Sequence, residues 1–167
     1  MTNLILIINP NDEDIKKINW LKEELEKREI SVTTPELPET NSYEEWDREF
    51  RKYAEQFTPD TIILTKGHIA RFLLKEYEER PLATKGTLLI TDNTNDKKEI
   101  FTLNYEKIRK KTMKFFIYSF QTNTKFPIEE SSDLSDKLEA EFFILEGAKD
   151  LSDYEDILID IISMTEQ

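Results

Sequence analysis

The chain has 167 residues, 38% of them apolar, 11% aromatic and 35% charged, with a formal net charge of −12. The apolar content supplies a core for one domain, residues 1–167, and excludes a disordered chain, while the acidic balance argues against nucleic acid or an anionic membrane as partner. Cysteine is absent and His68 is the one histidine, so disulfides, thiolate zinc sites and cysteine nucleophiles are excluded and no metal or cofactor is expected.

The first apolar run, Leu4-Ile5-Leu6-Ile7-Ile8, reads as a strand covered on both faces. It is too short for a signal sequence or a membrane span, so the protein is expected to be soluble and cytoplasmic. "NPNDED" breaks the run. Ile15, Ile18, Leu21, Leu25 and the stem of Arg28 then fall on one helical stripe. "ISVTT" is a short second strand. "PELPETNS" is a loop in which Asn41 or Ser42 caps the next helix. That helix is expected to carry Trp46, Phe50, Tyr53 and Phe57 as one core-facing aromatic stripe. The third strand, Thr61 to Thr65, runs through Gly67 into a helix from His68 to Glu79. "GTLLIT" gives a fourth strand, Thr87 to Thr91. A short helix over Tyr105 to Lys111 presents the basic cluster Lys107–Lys111, expected to be a solvated face. "KFFIYSF" is the fifth strand, 114–120. A helix from about Glu129 to Leu138 follows, then "EFFIL", 141–145, as the sixth strand. Tyr154, Ile157, Leu158, Ile161 and Ile162 mark the last helix.

Six short strands alternating with helices predict an α/β fold, a three-layer α/β/α sandwich around a six-stranded parallel sheet. Right-handed crossovers put helices on both faces. Ligands of such sheets bind beyond the carboxyl ends of the strands, where the strand order reverses. The loops at Asn9, Thr65 to His68, Thr91 to Thr94, Ser119 to Phe126 and Gly147 to Leu151 form that face. Neither G-x-G-x-x-G nor G-x-x-x-x-G-K-[ST] occurs among the three glycines, so a dinucleotide or P-loop enzyme is poorly supported.

The join at residues 64–69 has the layout of a nucleophile elbow: strand, sharp turn, helix. Other motifs accompany it in order: Trp20-Leu21, Pro35-Glu36-Leu37-Pro38, Glu45-Trp46, then "YEKIRKKTMKFFIYS", "FPIEESSDLSDKLEAEFFILEG" and "DL". Together they resemble the small serine hydrolases of the retinoblastoma-binding-protein-nine and YdeN type, over nearly the whole chain. The resemblance implies a minimal α/β-hydrolase-like fold without a lid, with strand order 2-1-3-4-5-6.

The departures from that family fall on its functional positions. Its elbow reads Gly-His-Ser-[LM]-Gly, and the serine position here is Gly67, which has no nucleophile. His68 follows it, where the family uses a backbone N–H. The acid position, in a loop one residue longer than the family's, is Thr122 or Asn123. The catalytic histidine position is Asp150, and the His-Gly after the first strand is Asn9-Pro10. The expectation is a pseudoenzyme that binds a protein or a small polar ligand. Asn9, Lys66, His68 and Asp92 are its candidate pocket residues, with Asp92 and Asp150 giving the pocket an acidic edge. The competing readings are a relocated hydrolase site around His68, Asp150 and Lys66, and a doubly wound small-ligand binder. Lys66 is expected to be solvated or salt-bridged, and the hydroxyls of Thr65 and Ser119 to be bonded to local backbone.

Overall fold

The computed structural model describes residues 2–7, 15–40, 42–67, 69–91, 102–121, 128–147 and 149–167. Six parallel strands, β1 (Asn3–Ile7), β2 (Ser31–Thr33), β3 (Thr61–Lys66), β4 (Gly86–Ile90), β5 (Phe115–Phe120) and β6 (Glu141–Leu145), form one sheet in the order β2-β1-β3-β4-β5-β6. The register is regular: Ile5 pairs with Ile63, Leu64 with Leu88, and Leu89 with Ile117. This is the predicted order. The chain starts near the middle of the sheet, steps out to β2, then crosses back to β3 and proceeds to the other edge.

The helices are α1 (Ile15–Glu26), α2 (Tyr43–Phe50), α3 (Ile69–Glu79), α4 (Tyr105–Arg109), α5 (Ile128–Leu138) and α6 (Ser152–Thr165). They cover both faces, which is why β3 and β4 are buried along their whole length and carry the apolar runs 62–64 and 88–90. On one face Ile18, Leu21 and Leu25 of α1 and Tyr154, Ile157 and Ile161 of α6 pack on Ile62, Leu64, Leu88 and Ile90. On the other, Trp46 and Phe50 of α2, Phe72, Leu73 and Tyr77 of α3, Ile108 and Leu138 pack on Ile63, Leu89 and Ile117. Each fully buried Leu or Ile contributes about 2 kcal/mol.

Several local details differ from the sequence reading. The aromatic stripe is not one helix. α2 stops at Phe50, and a 3₁₀ turn (Ala54–Gln56) delivers Phe57 edge-on to Phe50, with ring centroids 4.9 Å apart. The chain leaves the helix because it must enter β3 at Thr61. There the Thr61 hydroxyl donates to the Gln56 carbonyl at 2.6 Å and accepts the Thr58 N–H at 3.2 Å, satisfying groups that the broken helix leaves open. Tyr53 is only half-buried at this turn. The stem of Arg28 is likewise not core. It is exposed and donates to the Glu24 carbonyl at 2.7 Å. β3 extends to Lys66, one residue beyond the expected end. In the basic cluster, Lys111 donates to the Arg80 carbonyl at 2.6 Å and Arg109 to the Lys137 carbonyl at 2.7 Å, so two of its cations tie α4 to neighbouring elements instead of only facing water.

Of the two predicted caps, Asn41 lies outside the described residues. Ser42 caps α2, accepting the Glu45 N–H at 3.4 Å. That bond is long, so Ser42→Ala is expected to cost about 0.5–1 kcal/mol, read as a lower denaturation midpoint with an unchanged slope. Among the described residues no helix is long and apolar enough to cross a membrane.

Candidate functional site

β3 lies beside β1, where the strand order reverses, so its carboxyl end is the expected place for chemistry. There the strand ends at Lys66, Gly67 takes φ 81°, and α3 starts at Ile69. Gly67 donates its N–H to the Ile90 carbonyl at 3.0 Å and accepts the Ala70 N–H at 3.2 Å. One residue thus ends the sheet ladder and begins the helix. The left-handed φ that this demands is cheap for glycine and costs about 1–2 kcal/mol for most L-residues. The sharp strand-turn-helix shape predicted from the sequence is therefore present, with no side chain at its apex.

Lys66, the residue before the apex, is 6% exposed. Of its two expected states the solvated one does not hold. Adjacent strands and the ring of Phe120, whose centroid lies 5.8 Å from the Lys66 Nζ, cover it. The ring's negative face gives the ammonium part of the stabilisation it loses with water. On the opposite sheet face, Thr65 and Ser119 are both fully buried. The expectation that their hydroxyls bond local backbone is corrected: among the described residues neither has a hydrogen-bond partner. Between their strands Thr91, also fully buried, donates to the Tyr118 carbonyl at 3.1 Å and shares a 2.9 Å bond with the Ser131 hydroxyl on α5. The carboxyl ends of β3, β4 and β5 are thus lined by small hydroxyls on the α5 side and by one lysine on the α6 side. The sequence reading had no signal for Ser131, since a serine on a helix reads as solvent-facing.

The loop between β6 and α6 carries the last of the predicted positions. Gly147 takes φ 77° there. Asp150 is exposed and accepts two bonds from Ser152, one from its N–H at 2.9 Å and one from its hydroxyl at 2.6 Å. Those bonds, with Lys17 nearby, hold its carboxyl below the ordinary range. Asp150 therefore sits one residue before the N-cap of α6, Leu151, and as an anion it satisfies the N–H of the first helical residue, Ser152. Asp153, passed over in the sequence reading, is a buried carboxylate in the first turn of α6, 4% exposed, and accepts the N–H of Glu146 in this loop at 3.3 Å. Asn9, His68, Asp92, Thr122 and Asn123 lie outside the described residues. Among the described residues no group of three or more His, Asp or Glu side chains is placed to hold a metal ion.

No protein-family model matches the sequence, and no curated protein sequence matches it. Solved structures do match in shape. The ydeN gene product of Bacillus subtilis superposes with a TM-score of 0.87 at 15% identity, covering 100% of both chains. A Xanthomonas campestris protein assigned to the α/β-hydrolase superfamily gives 0.67 at 10% identity, over 98% of this chain and 99% of that one. The esterase domain of a Rhodothermus marinus protein gives 0.68 at 10% identity, over 96% and 84%. Similarity this distant in sequence and this complete in coverage fixes the architecture. The chain has the α/β-hydrolase fold.

Proposed function

We propose that this protein is a catalytically inactive α/β-hydrolase homologue that acts by binding a protein or a small polar ligand at the carboxyl end of its sheet. One observation carries the reading: the residue at the apex of the β3–α3 turn is Gly67, at φ 81°. A serine hydrolase needs an oxygen nucleophile at that apex, because only there does the turn hold it clear of the sheet and next to the helix N-terminus. Gly67 keeps the backbone and offers no atom to acylate. The hydroxyls of Thr65, Thr91 and Ser119 are buried beneath the turn, off its apex. Small hydroxyls and one lysine suit hydrogen bonding to a polar group more than the apolar lining an acyl chain needs.

The test is active-site labelling. A fluorophosphonate probe is expected to leave the purified protein unlabelled, and Gly67→Ser is expected to remain unlabelled as well, because Asp150 stands where the resemblance puts the base. A stoichiometric adduct on any Ser or Thr of the natural sequence overturns the reading.

The burial of Lys66 favours a second reading, an enzyme with a relocated site around His68, Lys66 and Asp150. A desolvated lysine is a better nucleophile than a solvated one. The bonds that Asp150 accepts from Ser152 weigh against it, since a general base there would first surrender both of them. Ester or amide turnover by the natural protein, lost in Lys66→Met, would select this reading over the first.

A further inference from the structure

The carboxyl of Glu76 on α3 is fully buried, yet three other polar groups converge on it. Tyr43 of α2 donates its hydroxyl to Oε1 at 3.0 Å. Arg80 donates its Nε–H to Oε2. The Asp47 carboxyl, one helical turn beyond Tyr43, is set beside it by the same Arg80 guanidinium. Around this centre Tyr43 also faces Glu79 Oε2 at 2.9 Å, while Arg80 donates to Asp47 Oδ1 at 2.7 Å and Arg51 to Asp47 Oδ2 at 3.0 Å. Lys75 lies 3.3 Å from Glu79 on the solvent side.

The hydrogens do not suffice if every acid is ionised. Tyr43 has one hydroxyl hydrogen, and both Glu76 and Glu79 claim it. Asp47 and Glu76 face each other, and a pair of carboxylates in contact has no hydrogen between them. One additional proton on Glu76, directed at Asp47, closes the gap. It also removes a second unit of negative charge from a buried site in which Arg80 alone touches both acids.

We propose that in mild acid Glu76 holds a proton in the folded protein and donates it to Asp47, and that loss of this proton as the pH rises through neutrality loosens α2 from α3, making the carboxyl pair a pH-sensitive latch between the two helices. Burial first, and then the Asp47 carboxyl, push Glu76 up from 4.5 to about 7. The same bond is the main cause that lowers Asp47 from 3.8 to about 2. The split is that of two acids sharing one proton. Between pH 4.5 and about 7 the folded state holds a proton that the unfolded state has released. Stability contributed by Glu76 is therefore complete below that window and is lost as pH rises through it. Asp47 acts in the opposite sense and at lower pH, its contribution being lost only as pH falls from 3.8 toward 2. α3 begins two residues after the Gly67 turn, so the latch sets how firmly the helix leaving the candidate site is held.

Infrared difference spectra and hydrogen exchange of the intact protein test this directly. A protonated-carboxyl C=O band should titrate near pH 7 and be missing in Glu76→Gln. Exchange protection of the α2 amides, corrected for the intrinsic pH dependence, should fall on the order of tenfold to a hundredfold between pH 5.5 and 8.5. In Glu76→Gln, which keeps a donor toward Asp47 at every pH, that fall should vanish. Should that variant not fold, Asp47→Asn serves instead. It removes the anion opposite Glu76 and should move the band's midpoint to lower pH. A band that persists in Glu76→Gln, a midpoint unmoved in Asp47→Asn, or α2 protection with the same pH dependence in the natural protein and Glu76→Gln overturns the latch.

Discussion

Trp46→Ala is expected to destabilise the protein by about 3–5 kcal/mol, the range for emptying a well-packed aromatic site. Trp46 is 1% exposed and is the largest fully buried side chain. It stacks on Phe50 at 4.9 Å and tilts against Phe72 at 5.6 Å, so its removal undercuts α2 and α3 together. The site has little freedom to collapse, because α2 spans only Tyr43–Phe50 and is followed directly by the 3₁₀ turn that anchors Phe57. Trp46→Phe should behave quite differently. The indole N–H is buried and has no hydrogen-bond partner among the described residues. Its loss relieves a penalty of about 1–3 kcal/mol, which offsets much of the lost volume. Urea titration of both variants checks the pair of values. A Trp46→Phe variant as damaged as Trp46→Ala would show that the indole nitrogen has a role in the fold.

Arg80→Met should cost about 2–4 kcal/mol near pH 8 and visibly less near pH 5.5. Its guanidinium donates to both Glu76 and Asp47, and its side chain is 26% exposed. Methionine fills the stem's volume but leaves the carboxyls without their shared cation. Above pH 7 both carboxyls are ionised, and among the described residues Tyr43 and Arg51 remain to face them. At lower pH the proton on Glu76 already removes one of the two charges. The double variant Arg80→Met with Glu76→Gln should therefore recover part of the loss at pH 8 and little at pH 5.5. Equal losses at both pH values would mean that the arginine acts through packing alone.

The sheet was legible in the sequence for a physical reason. Strands buried on both faces must be apolar throughout, so "ILIL"-type runs at 62–64, 88–90 and 115–118 mark them without help from alternation. The one handedness of parallel crossovers then leaves few orders to choose from. The Gly67 turn was legible because a glycine between a strand and a helix has few other uses. The acid cluster was not. Glu76, Glu78 and Glu79 look alike in "KEYEERP", and only Glu76 turns inward, a choice made by the position of α2, far away in sequence. The end of α2 was also hidden, since a four-three-four aromatic spacing continues past Phe50 with no Pro or Gly to stop it. What ends the helix is the distance the chain must cover to place Thr61 beside Asn3 and Lys85. The state of Lys66 depends on a phenylalanine on another strand, which no local pattern encodes.

Among the described residues β6 closes one side of the sheet, and its outer row of backbone groups faces no further strand. Its sequence, Glu-Phe-Phe-Ile-Leu, is almost wholly apolar, and Ile144 stands 52% exposed along that margin. Such an edge is a template for another chain's β-strand, guarded here by Glu141, its ion pair with Lys114 at 3.0 Å and the short length of the strand. The stronger guard is the molecule's overall charge of −12, which makes every encounter between copies repulsive. That repulsion fades as the carboxylates take up protons and as salt shortens the reach of the field. Colloidal stability of this protein therefore rests on its charge more than on the design of its edge. Mild acid or high salt, rather than heat, should be the first condition to bring it out of solution.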